Sequence, residues 1–254
     1  SAFGTGILTF GGGIVSSDST SARSVVNTLS LGGNITLGDT VKNGVLNFTG
    51  VGTLTAPTTL TLDSDVIFSG KLSGAAIGSF TKLGLGLLTL SGANDFAGGF
   101  TVSSGWILVG NDAAFGTGTL TVTGGKISSD GVTSRNVGNA YTMAGTLTLG
   151  DTSVPRNGAL TLSGAGTLNG ATTLTTESAV VISGALAGGL SAGLTKLGAG
   201  PLTLAVANGF SGGMTVNAGA VYAGNDGAFG TGTITMGAGA VSYTHLTLPT
   251  ILLV

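Results

Sequence analysis

The chain has 254 residues, of which 49 are Gly and only 7% are charged, with a net charge of −2 and no Cys. A hydrophobic share of 42% is far from a charge-rich disordered segment, and no apolar run reaches the ~18–20 residues of a membrane-spanning helix. The eight Lys and Arg are scattered, which argues against a nucleic-acid-binding face, and the lack of Cys excludes a disulfide scaffold or Cys-ligated zinc.

Taken in chain order, the expected elements are short strands. LTL (88–90), FTV (100–102), LTV (120–122), LTL (147–149) and LTL (160–162) alternate apolar residues with Thr. A period of two puts Leu, Val and Phe on a buried face and Thr on an open one. Gly-Gly, Gly-Ala and Asn-Asp clusters between the runs suit tight corners, and Gly at this density disfavours helix.

The chain also repeats itself. AFGTG stands at 2–6, 114–118 and 228–232, SSD at 16–18 and 128–130, LGDT at 37–40 and 149–152, and GND at 110–112 and 224–226. TVKNG (40–44) lengthens to TSVPRNG (152–158), which shifts the offset by two residues. The internal copies are therefore 2–113 and 114–227, with the start of a third at 228–242. Stacked rungs bury such strands only against their neighbours, so duplication favours a solenoid over a sandwich or barrel. The expectation is one continuous β-helix over 1–242, about eleven rungs long and of order 50 Å at ~4.8 Å per rung. The two-residue insertion should bulge at a corner, with Leu149 and Leu160 on the core at either side, because a slip inside a strand would turn every later side chain to the wrong face.

One phrase carries a family resemblance. TKLGLGLLTL (81–90) returns as TKLGAGPLTL (195–204), followed by Asn94 and Phe96, or Asn208 and Phe210, then Gly98-Gly99 or Gly212-Gly213, and Gly105 or Gly219. This frame resembles the autotransporter passenger-associated β-strand repeat, differing at Phe100 and Met214. The resemblance implies a right-handed parallel β-helix in the passenger of a Gram-negative surface protein. It also implies flanking passenger repeats, a C-terminal outer-membrane β-barrel as partner, and a stalk or adhesin-like role at the cell surface, with a host-surface or glycan ligand.

Candidate chemistry is sparse. Asp63 and Asp65 lie two apart and could share a strand face, the minimum for a polysaccharide-active β-helix enzyme, which is the alternative reading. Their counterparts Glu177 and Ala179 do not preserve the pair, so a solvated turn is expected, with no catalytic residue, cofactor or metal. Lys82 and Lys196 sit beside G-x-G, but neither stretch is a phosphate-binding loop, and their glycines read as corners. In GWILVGN (105–111) and GAVYAGN (219–225), alternation turns Ile107, Val109, Val221 and Ala223 inward. It turns Trp106, Leu108 and Tyr222 outward, making these three a candidate contact strip.

The chain opens at Ser1 without a leader and reads as a segment of a longer one. Residues 243–254 leave the repeat register and bring the only His, with no Gly after Gly239. They resemble a translated sequencing adapter and are expected to be non-native.

Overall fold

The computed structural model describes residues 3–244, with side chains to residue 239. Among these there is no helix; parallel strands wind into a β-solenoid of about eleven turns. Most of the expected tail lies outside the described residues.

Each turn has three sides, and each side is a column of strands paired in parallel with the turns before and after. The first column starts with Leu8–Phe10, then 29–31, 52–54 and Leu72–Gly74. The second runs from Gly13–Val15 through 35–37, 58–61, Phe80–Leu83, Phe100–Val102 and Leu120–Val122 to 141–143, 166–168 and Leu186–Gly188. The third runs from Arg23–Val25 through Leu46–Phe48, Val66–Phe68, 88–90, Trp106–Val109 and Lys126–Ser129 to 148–149, then 172–175, Leu194–Leu197, 214–216 and 234–236.

The first column loses regular strand at two turns. Asp95 N there donates to Leu72 O at 3.0 Å and Thr117 N to Phe96 O at 2.9 Å, which keeps the stack continuous. It resumes as Arg135–Val137, Leu160–Leu162, Val180–Ile182, Leu202–Leu204 and 221–223.

This path has a consequence for the duplication. Leu120–Val122 is the second-copy counterpart of Leu8–Phe10, but it stacks in the second column, not the first. Likewise Arg135–Val137 matches Arg23–Val25 yet leaves the third column for the first. One copy spans five turns and one further side, so the second copy is advanced around the rod by one side. Equivalent residues face different directions.

The strand faces follow the alternation. Phe48, Leu62, Val66, Leu88, Leu90 and Val102 are fully buried, while the Thr between them stay at or near the surface. In the first copy the core is a chain of phenylalanines: Phe48 stacks on Phe68 (5.0 Å between centroids) and Phe80 on Phe100 (5.1 Å). The space that Phe48, Phe68 and Phe80 enclose with Phe10, Leu31 and Ile35 is too small to hold a water, so this part of the interior is close-packed.

The insertion falls at a corner. Residues 150–159 belong to no strand, Val154 is 77% exposed, and Leu149 and Leu160 are buried on either side. The corner absorbs the extra length.

One buried polar group is out of place. Tyr141 fills the site that Leu29 holds in the first copy, and its hydroxyl is buried with no hydrogen-bond partner; burial pushes its pKa upward. Because an unpaired buried hydroxyl costs free energy, Tyr141→Phe is expected to stabilise the rod by about 1 kcal/mol. Denaturant midpoints of the two proteins give the sign directly.

Candidate functional site

The repeated phrase builds a clasp in each copy. In Phe80–Leu83, alternation puts Lys82 in phase with Phe80, pointing into the core between Leu60 and Val102. Lys82 is fully buried. Its Nζ donates to three backbone carbonyls: Leu83 O at 3.1 Å, Gly84 O at 2.8 Å and Ser104 O at 3.2 Å.

Lys196 repeats this with Leu197 O (2.8 Å), Gly198 O (2.8 Å) and Ala218 O (3.0 Å). Burial pulls both ammonium pKa values down to about 8, while the three acceptors favour the charged form. Gly84 and Gly198 take φ of +76° and +80°, a conformation open to glycine that turns the corner carbonyls toward the ammonium. At Gly105 a Cβ would collide with Lys82 Nζ itself.

Asparagines fasten other corners. Asn94 accepts from Leu72 N (2.8 Å) and donates to Ala114 O (2.7 Å), so one side chain links three successive turns. Asn208 does the same with Leu186 N (2.8 Å) and Ala228 O (2.6 Å). Asn139 donates to Gly116 O (3.0 Å) and Gly118 O (2.7 Å) of the second AFGTG, as Asn27 does to Gly4 O and Gly6 O of the first. The AFGTG mark is thus a corner held by an Asn one turn later, a link that sequence reading missed.

The three outward residues do not form one strip. Trp106 and Leu108 lie on the third column and Tyr222 on the first, because Leu108 and Tyr222 are counterparts in copies advanced by one side. Leu108 is only 5% exposed, stacked between Thr89 and the fully buried Ser128, which corrects its expected place at the surface.

Trp106 is half-buried and engaged. Its Nε1 donates to Ser128 Oγ at 3.0 Å, Lys126 Nζ sits 4.4 Å from the ring centre, and the Arg156 guanidinium sits 4.9 Å from it. Lys126 in turn pairs with Glu177 (2.6 Å) and Asp151 (3.3 Å). Burial works against ionisation of Asp151, but the Ser153 amide and Lys126 outweigh it and hold the carboxyl below its usual range.

Asp63 and Asp65 are exposed in the turn after Gly52–Leu62, not on a strand, and Asp65 accepts from Leu87 N at 3.1 Å. They flank a shallow open groove of about 280 Å³ with Asn43 and Leu85. Among the described residues, no three His, Cys, Asp or Glu gather as a metal site, and no helix is long and apolar enough to cross a membrane.

Comparison with known proteins falls on the clasps. Residues 80–109 and 194–222 match the passenger-associated-transport-repeat family, and each match runs from the strand that bears the buried Lys to the strand that closes over its corner. An autotransporter adhesin of Brucella suis biovar 1, adhesin BmaC, is 33% identical over 195 residues, which is 74% of this chain and 5% of the adhesin. No solved structure matches. With two such repeats set at equivalent positions of a β-solenoid, the chain belongs to the autotransporter passenger repeat proteins.

Proposed function

We propose that this chain is a spacer segment of a surface-displayed passenger, a rod that projects or forms part of an adhesin-like surface and acts mechanically, without catalysis. In this reading residues 1–242 fold as one unit, flanked by further repeats and anchored through a C-terminal outer-membrane β-barrel. The observation that carries it is the unbroken parallel pairing across the copy boundary, where Phe100–Val102, Leu120–Val122 and 141–143 stack without a linker. Rungs that contact only their neighbours can fold one after another as they emerge from a secretion pore, and the absence of Cys leaves nothing to cross-link beforehand.

The reading is tested by removing residues 114–227, which joins matching positions of the repeat. A spacer should remain folded and exported, and electron microscopy of the product should show a rod shorter by roughly 26 Å, from about 4.8 Å per turn. Collapse of the remaining rod, or loss of a chemical turnover that the intact chain displays, would overturn the spacer role.

A further inference from the structure

Four Asn-Gly pairs occur in the chain, at 43–44, 157–158, 169–170 and 208–209. Such a pair can modify itself without an enzyme. The glycine amide nitrogen attacks the asparagine side-chain carbonyl carbon, and its proton leaves with the side-chain nitrogen as ammonia. The succinimide ring that remains takes up one water and opens to aspartate or isoaspartate. Glycine favours the attack because it has no Cβ to shield the nitrogen and because it admits the backbone rotation that ring closure needs.

The rod locks three of the four pairs. Gly44 N donates to Ser19 O (3.0 Å), Gly158 N to Gly131 O (2.9 Å) and Gly209 N to Leu186 O (2.8 Å). Each of these nitrogens must give up its bond before it can attack. Room is short as well: a Cβ on Gly44 would collide with Ser21 O and one on Gly158 with Thr133 O. The Asn208 side chain is itself tied at both ends, accepting from Leu186 N and donating to Ala228 O.

Asn169-Gly170 differs on every count. It lies where Gly166–Thr176 crosses from the second side to the third. Residues 166–168 pair with 141–143 and Leu186–Gly188, and 172–175 pair with 145–148 and Leu194–Leu197. Residues 169–171 have no paired residue in the turn before or after, so the corner stands outside both ladders. Asn169 is exposed, and a Cβ on Gly170 would meet nothing within 4 Å. Thr172 Oγ1 donates to the Gly170 carbonyl at 3.2 Å, a contact that does not engage the amide nitrogen. The first copy has Thr55-Ala56-Pro57 at the same corner, which cannot undergo this reaction.

We propose that Asn169 is a site of spontaneous deamidation, the one Asn-Gly pair that the rod leaves free to close on itself. The product carries one more negative charge. In its isoaspartyl form the main chain runs through the former side chain and is longer by one methylene. A corner outside the ladders can take up that length, as the corner at 150–159 takes up two residues, so the strands on either side keep their register. The change needs water alone and no partner, and it marks the second copy but not the first.

The whole folded chain is incubated in warm, mildly alkaline buffer, and a second sample is incubated in concentrated urea. Peptide mapping by mass spectrometry follows each asparagine, and isoaspartyl methyltransferase labelling identifies the product that only the succinimide can give. In the folded chain Asn169 is expected to convert about ten-fold or more faster than Asn43, Asn157 or Asn208, the rate effect of one retained hydrogen bond or more. In urea the four rates should converge, because every pair then has the same freedom. Gly170→Ala should slow Asn169 in the folded chain by about ten-fold, since a Cβ shields the nitrogen without meeting the rod. Asn169→Thr, which installs the first copy's residue, should remove the labelled product at this corner. An unchanged circular dichroism spectrum would verify that both variants are folded. Folded-state conversion of Asn169 no faster than that of the other three would overturn the proposal. So would an equal lead for Asn169 in urea, which would assign the lead to local sequence and not to the fold.

Discussion

Phe80→Ala is expected to cost about 4 kcal/mol, within the range for emptying a large aromatic site in a packed core. Phe80 is buried and lies at the centre of the aromatic chain, stacked on Phe100 at 5.1 Å and near Phe68 and Phe96, each at 6.3 Å. Strands on both sides of the cavity are tied by parallel ladders to the next turns, so the walls cannot collapse onto it. The second copy supplies the control. There the counterparts of Phe48, Phe68, Phe80 and Phe100 are Leu162, Ile182, Leu194 and Met214, all buried. Phe80→Leu, which installs the second copy's residue, should cost less than about 1.5 kcal/mol. Since each turn contacts only its neighbours, the loss should be local. Hydrogen exchange would rise around residues 60–100 and stay unchanged beyond residue 160. Uniform loss of protection along the whole rod would contradict the local picture.

That contrast between copies shows what the sequence could and could not convey. Strands were legible wherever Leu, Val or Phe alternates with Thr, because two-fold periodicity leaves one face to bury and one to hydrate, as at 100–102 and 160–162. The corner at 150–159 was legible too, since two added residues would invert the inward and outward faces anywhere else. What alternation cannot convey is the number of sides in a copy. Periodicity along a strand says nothing of how the chain turns between strands, and the irregular segments 94–97 and 113–117, which alternation does not mark, each occupy a side of the first column. Leu108 and Tyr222 therefore looked like neighbours on one strip while standing on different faces. The buried face of Lys82 was present in the alternation, in phase with Phe80, but the charge of Lys favours an exposed reading when the three carbonyls that receive it are not visible.

Lys82→Ala is expected to destabilise the first copy by about 3 kcal/mol, since it leaves three inward carbonyls without their donor and opens space in the core. Lys82→Met, which fills the space but donates nothing, should fall between alanine and the parent. Lys196→Ala should have a matching effect in the second copy, and the two losses should add because the sites share no partner. The pH dependence separates the ammonium from its packing. Burial lowers the folded pKa to about 8, below the ordinary lysine value near 10.4 of the unfolded chain. Between those limits the unfolded chain holds more protons than the folded rod, so the lysine contribution to stability rises with pH from about 8 to about 10.4 and is flat below 8. The difference in stability between the parent and Lys82→Met should follow that profile, growing in the parent's favour across the alkaline window. A constant difference from pH 6 to pH 10 would mean that the folded pKa is not lowered. The same group accounts for the spacing of the repeated phrase in the two copies. An ammonium is the one compact donor with three hydrogens, and it can bridge two successive corners only if glycines stand where Gly84 and Gly105 do, one turning its carbonyl inward and the other leaving room for Nζ.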